Sequence, residues 1–255
     1  MKFSIITPTY KRNDKLARAV LSVLHQTHND WEMIIINDSP DDMGYSSFEK
    51  TISNKRIVYL KNIKNEGVNY SRNRALDNVS QNSDWVIFLD DDDYLAPDAL
   101  ATFQNLTATH PDKKWFITNR AYTNRETLTK FPTLDATYSY ALDYLITKRC
   151  KGDATHCIAT ALVKDIRFSK LIKQAEEWLF FYQIGLKSKI FYHDHNSTLT
   201  DGYNETAGLN FRKRARFEQL QTLIKLVSEG ARLRLLYYPT YLTYLFMRLL
   251  RLIFK

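Results

Sequence analysis

Residues 84–100 read DWVIFLDDDDYLAPDAL, in which the apolar run Trp85-Val86-Ile87-Phe88-Leu89 passes without a break into four aspartates, Asp90 to Asp93. The run has the length and unbroken apolarity of a strand covered on both faces. Four adjacent carboxylates repel one another and destabilise a compact corner unless something offsets them. Two arrangements meet that constraint. The aspartates splay into water and cap the helix opening near Pro97, or a positive group sits among them. In an extended segment Asp90 and Asp92 point to the same side. With Asp93 they make an oxygen-rich set suited to a hard divalent cation, Mg²⁺ or Mn²⁺, next to phosphate oxygens.

The same unit of strand and polar tip recurs toward the N-terminus. KFSIIT (2–7) ends at Pro8, WEMIII (31–36) ends in NDSPDD, and RIVYL (56–60) is a third apolar run. Helical spacing fills the intervals. Asp14–Gln26 carries Leu16, Ala19, Val20, Val23 and Leu24 on one face with Asn13 as N-cap. Residues 45–54 and Tyr70–Asn78 follow, then Pro97–Thr107 with proline in its first turn. Four alternations over residues 1–110 predict an α/β domain whose Rossmann-like, mostly parallel sheet is flanked by helices. In such sheets ligands bind outside the carboxyl ends of the strands, so PTYKR, NDSPDD and DDDD should share one edge. No GxGxxG and no Walker-type glycine loop occurs, which excludes the usual dinucleotide and ATP cradles. Past residue 110 the alternation is weaker. KWFITNRAYT (114–123), ATHCIATALV (154–163) and SKIFYHD (188–194) read as strands, and QAEEWLFFYQIGL (174–186) as a helix.

The chain of 255 residues is 44% hydrophobic with seven glycines and six prolines, a globular composition. Cys150 and Cys157 form neither a disulfide framework nor a zinc pattern, and read as reduced thiols of a cytoplasmic protein. The opening MKFSIITPTY is too polar for a signal peptide.

Four segments in order resemble the family 2 glycosyltransferases. SIITPTYKRNDKLARAVLSVLHQTHNDWEMIIINDSPDD (4–42) is similar to the family's opening stretch, and KNEGVNYSRNRAL (64–76) to its Asn-x-Gly-x-x-x-Ala-Arg-Asn segment. WVIFLDDDDYLAPDAL (85–100) is similar to the Asp-x-Asp-Asp motif, and AEEWLFFYQIG (175–185) to the Glu-Asp-Trp base motif. The resemblance covers roughly residues 3–200 and implies a GT-A fold that moves a sugar from a nucleotide-sugar to an acceptor. It implies that Thr7, Pro8, Thr9 and Tyr10 wall a nucleobase pocket, and that Asp38 takes the N–H of a uracil or thymine ring. Arg72 would lie over the base or near the diphosphate. Asp90, with Asp91 beside it, would touch the donor nucleotide, while Asp92 and Asp90 ligate Mn²⁺ or Mg²⁺. Arg12 reaches a phosphate or stands on the surface. Glu177, where the family more often has Asp, would take the acceptor proton as general base, with Glu176 as its competitor. Departures are Asn37 for a first Asp, Ser39 for Gly, and the stretch HDHNSTLTDGYNETAG, where His193 and His195 align insecurely with the family's metal-binding His. His156 either lines the acceptor site or packs.

The charge is uneven. The net +8 lies wholly in residues 209–255, which hold ten basic and two acidic side chains. After Pro239, Leu242, Leu245, Phe246, Leu249, Leu250 and Ile253 fall on one helical face, with Arg248, Arg251 and Lys255 opposite. Such a tail suits a helix lying in an anionic membrane surface, with Tyr237, Tyr238, Tyr241 and Tyr244 at headgroup depth and NFRKRARF (210–217) adding charge. A helix packed on the body, or an oligomer contact, would carry the same pattern. Nothing else points to nucleic acid.

The expectation is therefore a catalytic domain over 1–208, split at 110 into donor and acceptor halves, with a basic helical tail over 209–255. It would be an inverting, metal-dependent hexosyltransferase on the inner face of the cytoplasmic membrane, using a UDP-sugar and a lipopolysaccharide, capsule or lipid-linked acceptor. A non-catalytic sugar-nucleotide or glycan-binding protein on the same fold is the second reading.

Overall fold

The computed structural model describes residues 1–255 except 53, 125, 173–176, 202–215 and 255. Its nine-stranded mixed sheet has the order β3-β2-β1-β4-β8-β6-β9-β5, with β7 added on β9. The strands are β1 (Phe3–Thr9), β2 (Trp31–Asn37), β3 (Ile57–Lys61), β4 (Trp85–Phe88), β5 (Asp93–Leu95), β6 (Trp115–Tyr122), β7 (Ala136–Tyr138), β8 (Ala154–Ala159) and β9 (Ile190–Thr200). The helices are α1 (Asn13–Leu24), α2 (Tyr45–Thr51), α3 (Val68–Leu76), α4 (Ala99–Thr109), α5 (Thr160–Val163), α6 (Trp178–Gly185), α7 (Arg216–Arg232) and α8 (Pro239–Ile253). A π-helical segment, Tyr140–Ile146, lies between β7 and β8.

The first four strands are parallel and run as expected, because helices cover both of their faces. Alternate residues of β1 and β2 serve opposite cores. Phe3, Ile5, Trp31, Met33 and Ile35 pack with α1 and α4. Ile6, Ile34 and Ile36 pack on the other side with α3 and α6. Each such aliphatic contributes about 1.5–3 kcal/mol when fully buried. The chain order reverses between β1 and β4, so their carboxyl ends open a crevice at the topological switch point.

Several boundaries differ from expectation. Asn13 does not cap α1 through its side chain; it is the helix's first residue and donates Nδ2–H to the Gly44 carbonyl at 2.9 Å. Pro97 lies before α4, where its carbonyl accepts from Thr27 N–H at 3.0 Å. The expected strand 154–163 ends at Ala159 and turns into α5. The expected strand 188–194 runs on to Thr200, which places His193 and His195 in β9 instead of in a loop.

The tail is continuous with the core. Leu226, Leu235, Tyr241, Tyr244 and Leu245 belong to the same apolar cluster as α6. Gly230 allows the crossing of α7 and α8, since a Cβ there would meet the Tyr241 ring at 2.5 Å. Tyr241 Oη–H closes it with a bond to the Leu226 carbonyl at 2.8 Å. Tyr241 and Tyr244 are therefore inside the protein, not at headgroup depth as the sequence pattern suggested. No helix among the described residues is long and apolar enough to cross a membrane.

Candidate active site

The four aspartates leave β4 in a turn closed by Asp93 N–H to the Asp90 carbonyl at 3.1 Å. That turn, not strand alternation, brings Asp90 and Asp92 together. The charge is answered by arginines from three distant elements. Arg72 of α3 donates Nη2–H to Asp90 at 2.9 Å. Arg12, before α1, reaches Asp91 at 3.2 Å and Asp92 at 2.8 Å. Arg120 of β6 holds Asp93 at 2.8 Å. Three guanidiniums thus answer four carboxylates, and Arg72 and Arg120 are shared with Glu177 and Asp153, so negative charge is left over at the turn. Partial desolvation in the turn pushes the Asp90 carboxyl up, but Arg72, Arg120 and Arg12 outweigh it and hold it below the usual carboxylate range. Burial dominates at Asp91, raised to about 6, and at Asp93, raised to about 7, against their arginine partners.

Asp90, Asp92 and Asp93 each offer an oxygen within 4.8 Å of the others. Arg72 engages Oδ1 of Asp90 and Arg12 engages Oδ2 of Asp92, so each keeps a second oxygen for ligation. Three carboxylates with hard oxygen donors fit Mg²⁺ or Mn²⁺. His193 and His195 do not join this cluster. His193 Nδ1 pairs with Asp135 at 2.5 Å, and His195 spans Ser197 and Asp98.

Two hollows flank the turn. An open cleft of about 550 Å³ is bordered by Tyr10, Lys11, Asp38, Ser39, Pro40 and Asn65, among others. Thr7, Pro8 and Thr9 are buried within β1, and only Tyr10 of that expected group borders the cleft. Thr9 hydrogen-bonds Asp91 at 2.8 Å, so Asp91 points back across the switch point into the fold. Asp38 is also engaged. Its carboxylate accepts from Asn62 Nδ2 at 2.7 Å, Glu66 N–H at 2.9 Å and Gly67 N–H at 2.8 Å. It shapes the turn into α3, where Gly67 sits at φ +92, a conformation that favours glycine. One acceptor position of its roughly four remains for a ligand.

The second hollow, about 270 Å³, joins Arg72, Asp90, Asp93 and Arg120 to Glu177, His156 and a set of aromatic rings. Arg72 spans it, donating Nη1–H to Glu177 Oε1 at 2.6 Å while holding Asp90 with its other arm. Burial disfavours the Arg72 cation, but Glu177 and Asp90 more than restore it, so its pKa lies above the ordinary value. Glu176 lies outside the described residues. Arg120 and the aromatic lining (Tyr140, Tyr144, Phe181) were not anticipated; they come from β6, the π-helical segment and α6, and no local motif marks them.

His156 lines the cavity with a fixed tautomer. Trp115 Nε1–H donates to its Nδ1 at 3.1 Å, which leaves the proton on Nε2. Its ring stacks on Phe181 at 4.1 Å. Burial pushes the imidazole down to about 3. The unfolded chain takes up a proton near pH 6.5 that the fold refuses, so this site's stabilising neutrality is complete above that pH and is lost as pH falls toward 3. At pH 5 the cost is about 2 kcal/mol. Asp91 and Asp93 act in the opposite sense, because their raised values favour the fold as pH falls. Comparison of variant with wild type removes their share. In urea unfolding, His156→Asn, which keeps an acceptor for Trp115, should lose about 2 kcal/mol less than wild type between pH 7 and pH 5. Equal losses would mean that the ring is protonated in place.

Residues 4–168 match the family model described as Glycosyl transferase family 2. The chain is 29% identical over 198 residues to the GalNAc(5)-diNAcBac-PP-undecaprenol beta-1,3-glucosyltransferase of Campylobacter jejuni, covering 75% of this chain and 62% of that one. It is 35% identical over 121 residues to the succinoglycan biosynthesis protein ExoW of Rhizobium meliloti, covering 45% and 37%. The chain thus spans less than two thirds of the length of these relatives. Among solved structures, S. aureus TarS 1-349 in complex with UDP-GlcNAc superposes with a TM-score of 0.67 at 21% identity, covering 89% of this chain and 67% of that one. The mannosyltransferase PcManGT from Pyrobaculum calidifontis, in complex with GDP-Man and Mn2+, gives 0.58 at 12% identity, covering 90% and 63%. These likenesses establish the GT-A fold.

Proposed function

Because the chain belongs to glycosyl transferase family 2, we propose that it moves a hexose from a UDP-linked sugar to a hydroxyl of a cell-envelope glycan or lipid-linked acceptor, inverting the anomeric carbon. The observation that carries this reading is Arg72, whose one guanidinium joins Asp90 of the acidic turn to Glu177 across the cavity. That span sets a candidate base opposite the place where a diphosphate would meet the turn. In the transfer the acceptor oxygen bonds to the anomeric carbon and the bond from that carbon to the phosphate oxygen breaks. The hydroxyl proton passes to Glu177, and nucleoside diphosphate departs. Arg72 and Arg12 supply fixed positive charge for the departing group. Asp90 and Asp92, with Asp93 beside them, would hold Mn²⁺ or Mg²⁺, which when bound neutralises charge on the diphosphate. The nucleobase would sit in the cleft between Tyr10 and Asp38. The aromatic rings of the cavity suit the apolar face of a sugar.

The UDP-GlcNAc complex of TarS supports the uridine donor. The succinoglycan and undecaprenol-linked roles of the relatives support an envelope acceptor, and we place the reaction at the inner face of the cytoplasmic membrane. A thermal-shift comparison of UDP-, dTDP-, GDP- and CMP-linked sugars, each with Mn²⁺ and with chelator, tests the donor. At about 100 times its Kd a ligand adds roughly 2.7 kcal/mol, or about 5–10 °C for a chain of this size. The expected result is a Mn²⁺-dependent rise with the UDP-sugar that Asp92→Ala abolishes. No rise with any nucleotide would overturn the donor reading, and an undiminished rise in Asp92→Ala would overturn the metal assignment.

A further inference from the structure

The two tail helices each use one side to close the core and leave another uncovered. On α8, Tyr241, Tyr244 and Leu245 are buried, whereas Leu242, Phe246, Leu249 and Ile253 are exposed at spacings of one helical turn. On α7 the exposed residues Phe217, Leu220, Ile224 and Val227 repeat the same spacing. Phe246 is 59% and Phe254 81% exposed, and Tyr237, in the link between the helices, is 85% exposed. So much apolar surface at helical spacing is not the random scatter of a monomer's exterior.

Charge selects the occupant. Helix α8 has Arg248 and Arg251 and no acidic residue. Outside the tail, Lys148 stands over the Tyr244 ring at 5.9 Å, and so joins these arginines. Burial, then the neighbouring charges of Arg251 and Arg248, hold the Lys148 ammonium below its ordinary range. Of the tail's two acids, Glu229 is buried and bonded to Arg232 at 2.8 Å. A second copy of this chain would bring the same excess of positive charge against itself. An anionic surface would be attracted by it, with apolar stripes entering beneath the charges. The 15 residues of α8 span about 22 Å, short of the roughly 30 Å of a bilayer's hydrocarbon, so the helix would lie in the interface instead of crossing it.

We propose that the exposed stripe of α8, with Lys148, Arg248 and Arg251 behind it on the side of Tyr244, is a docking surface for an anionic phospholipid bilayer. This goes beyond the transfer reaction and is read without donor or acceptor, so its failure leaves the proposed chemistry standing and the converse also holds. The test is flotation of the full chain with vesicles of phosphatidylcholine alone, and with phosphatidylglycerol replacing about a third of the lipid. Wild type should partition to the anionic vesicles at least about tenfold better, and less so in high salt. Phe246→Ser with Ile253→Ser should lower that partition by about tenfold or more. Arg248→Gln and Arg251→Gln should each lower it about fivefold. Melting temperatures should hold for the apolar variants, because both side chains face outward. The proposal is overturned by equal partition to both vesicles, by variants that float like wild type, or by a dimer in sedimentation that the same serine substitutions dissolve, which would make the stripe a contact between copies.

Discussion

Glu177→Gln is expected to lower kcat by about 10²–10⁴-fold while the Kd for UDP-sugar and Mn²⁺ changes by less than about threefold. The expectation rests on what the substitution spares. Arg72 Nη1–H bonds Oε1 of Glu177 at 2.6 Å, and glutamine offers a carbonyl oxygen at the same place. The arm of Arg72 on Asp90 is untouched. What disappears is the ability to accept the acceptor's proton. Isothermal titration for the donor and a coupled assay of released UDP separate the two effects. Retained turnover would move the base elsewhere. Loss of donor binding together with turnover would make Glu177 a structural counter-ion of Arg72. Intact donor binding with no turnover in the wild type would favour the non-catalytic binding protein.

Arg72→Lys is expected to lower kcat by about 10²-fold, with a smaller effect on donor Kd. The guanidinium is nearly buried, at 8% exposure, and reaches two carboxylates at once with a planar fork. An ammonium is a point charge on a flexible stem and cannot hold both at 2.6 and 2.9 Å. Asp90 and Glu177 should drift apart, and the candidate base should lose its register with the acidic turn. Since both carboxylates are more than 40% exposed, water can hydrate whichever is released. The stability loss should therefore stay at about 1–3 kcal/mol, measured by urea unfolding. A large rise in donor Kd with little change in kcat would instead make Arg72 a contact of the bound donor before transfer, over the base or near the diphosphate as the family resemblance implies. An unchanged kcat and Kd would remove it from the site.

How far the sequence could be read depended on how local the cause was. Strands β1 to β4 were visible because both faces are covered, so Ile5-Ile6, Met33 to Ile36, Ile57 to Leu60 and Trp85 to Phe88 run apolar without alternation. Their tips were predictable from the same argument, and the crevice at the β1–β4 switch point follows from it. β5 was not visible. Asp93-Tyr94-Leu95 has no strand pattern and is extended because β9 pairs with it, as Asp93↔Thr200 and Leu95↔Thr198. The arginines that answer the aspartates lie 18 to 80 positions away, and only the sheet order brings Arg120 to Asp93. The tail's spacing revealed an amphipathic helix but not which side faces the body. Tyr241 and Tyr238 are equally aromatic, yet one is a core residue and the other stands at the surface.

The indole of Trp178 lines the candidate catalytic cavity on one side and rests on Tyr244, 4.5 Å away, and on Tyr241 at 6.0 Å on the other. A hydrogen bond of 2.7 Å between Tyr182 and Thr240 fastens the same two helices. The segment that carries the proposed docking stripe therefore also shapes the cavity between Arg72 and Glu177. These two properties cannot be exchanged as separate modules. A chimera that borrows a foreign C-terminal helix would inherit a different back wall for Trp178, and with it a different appetite for acceptors, even if every residue of the acidic turn were kept.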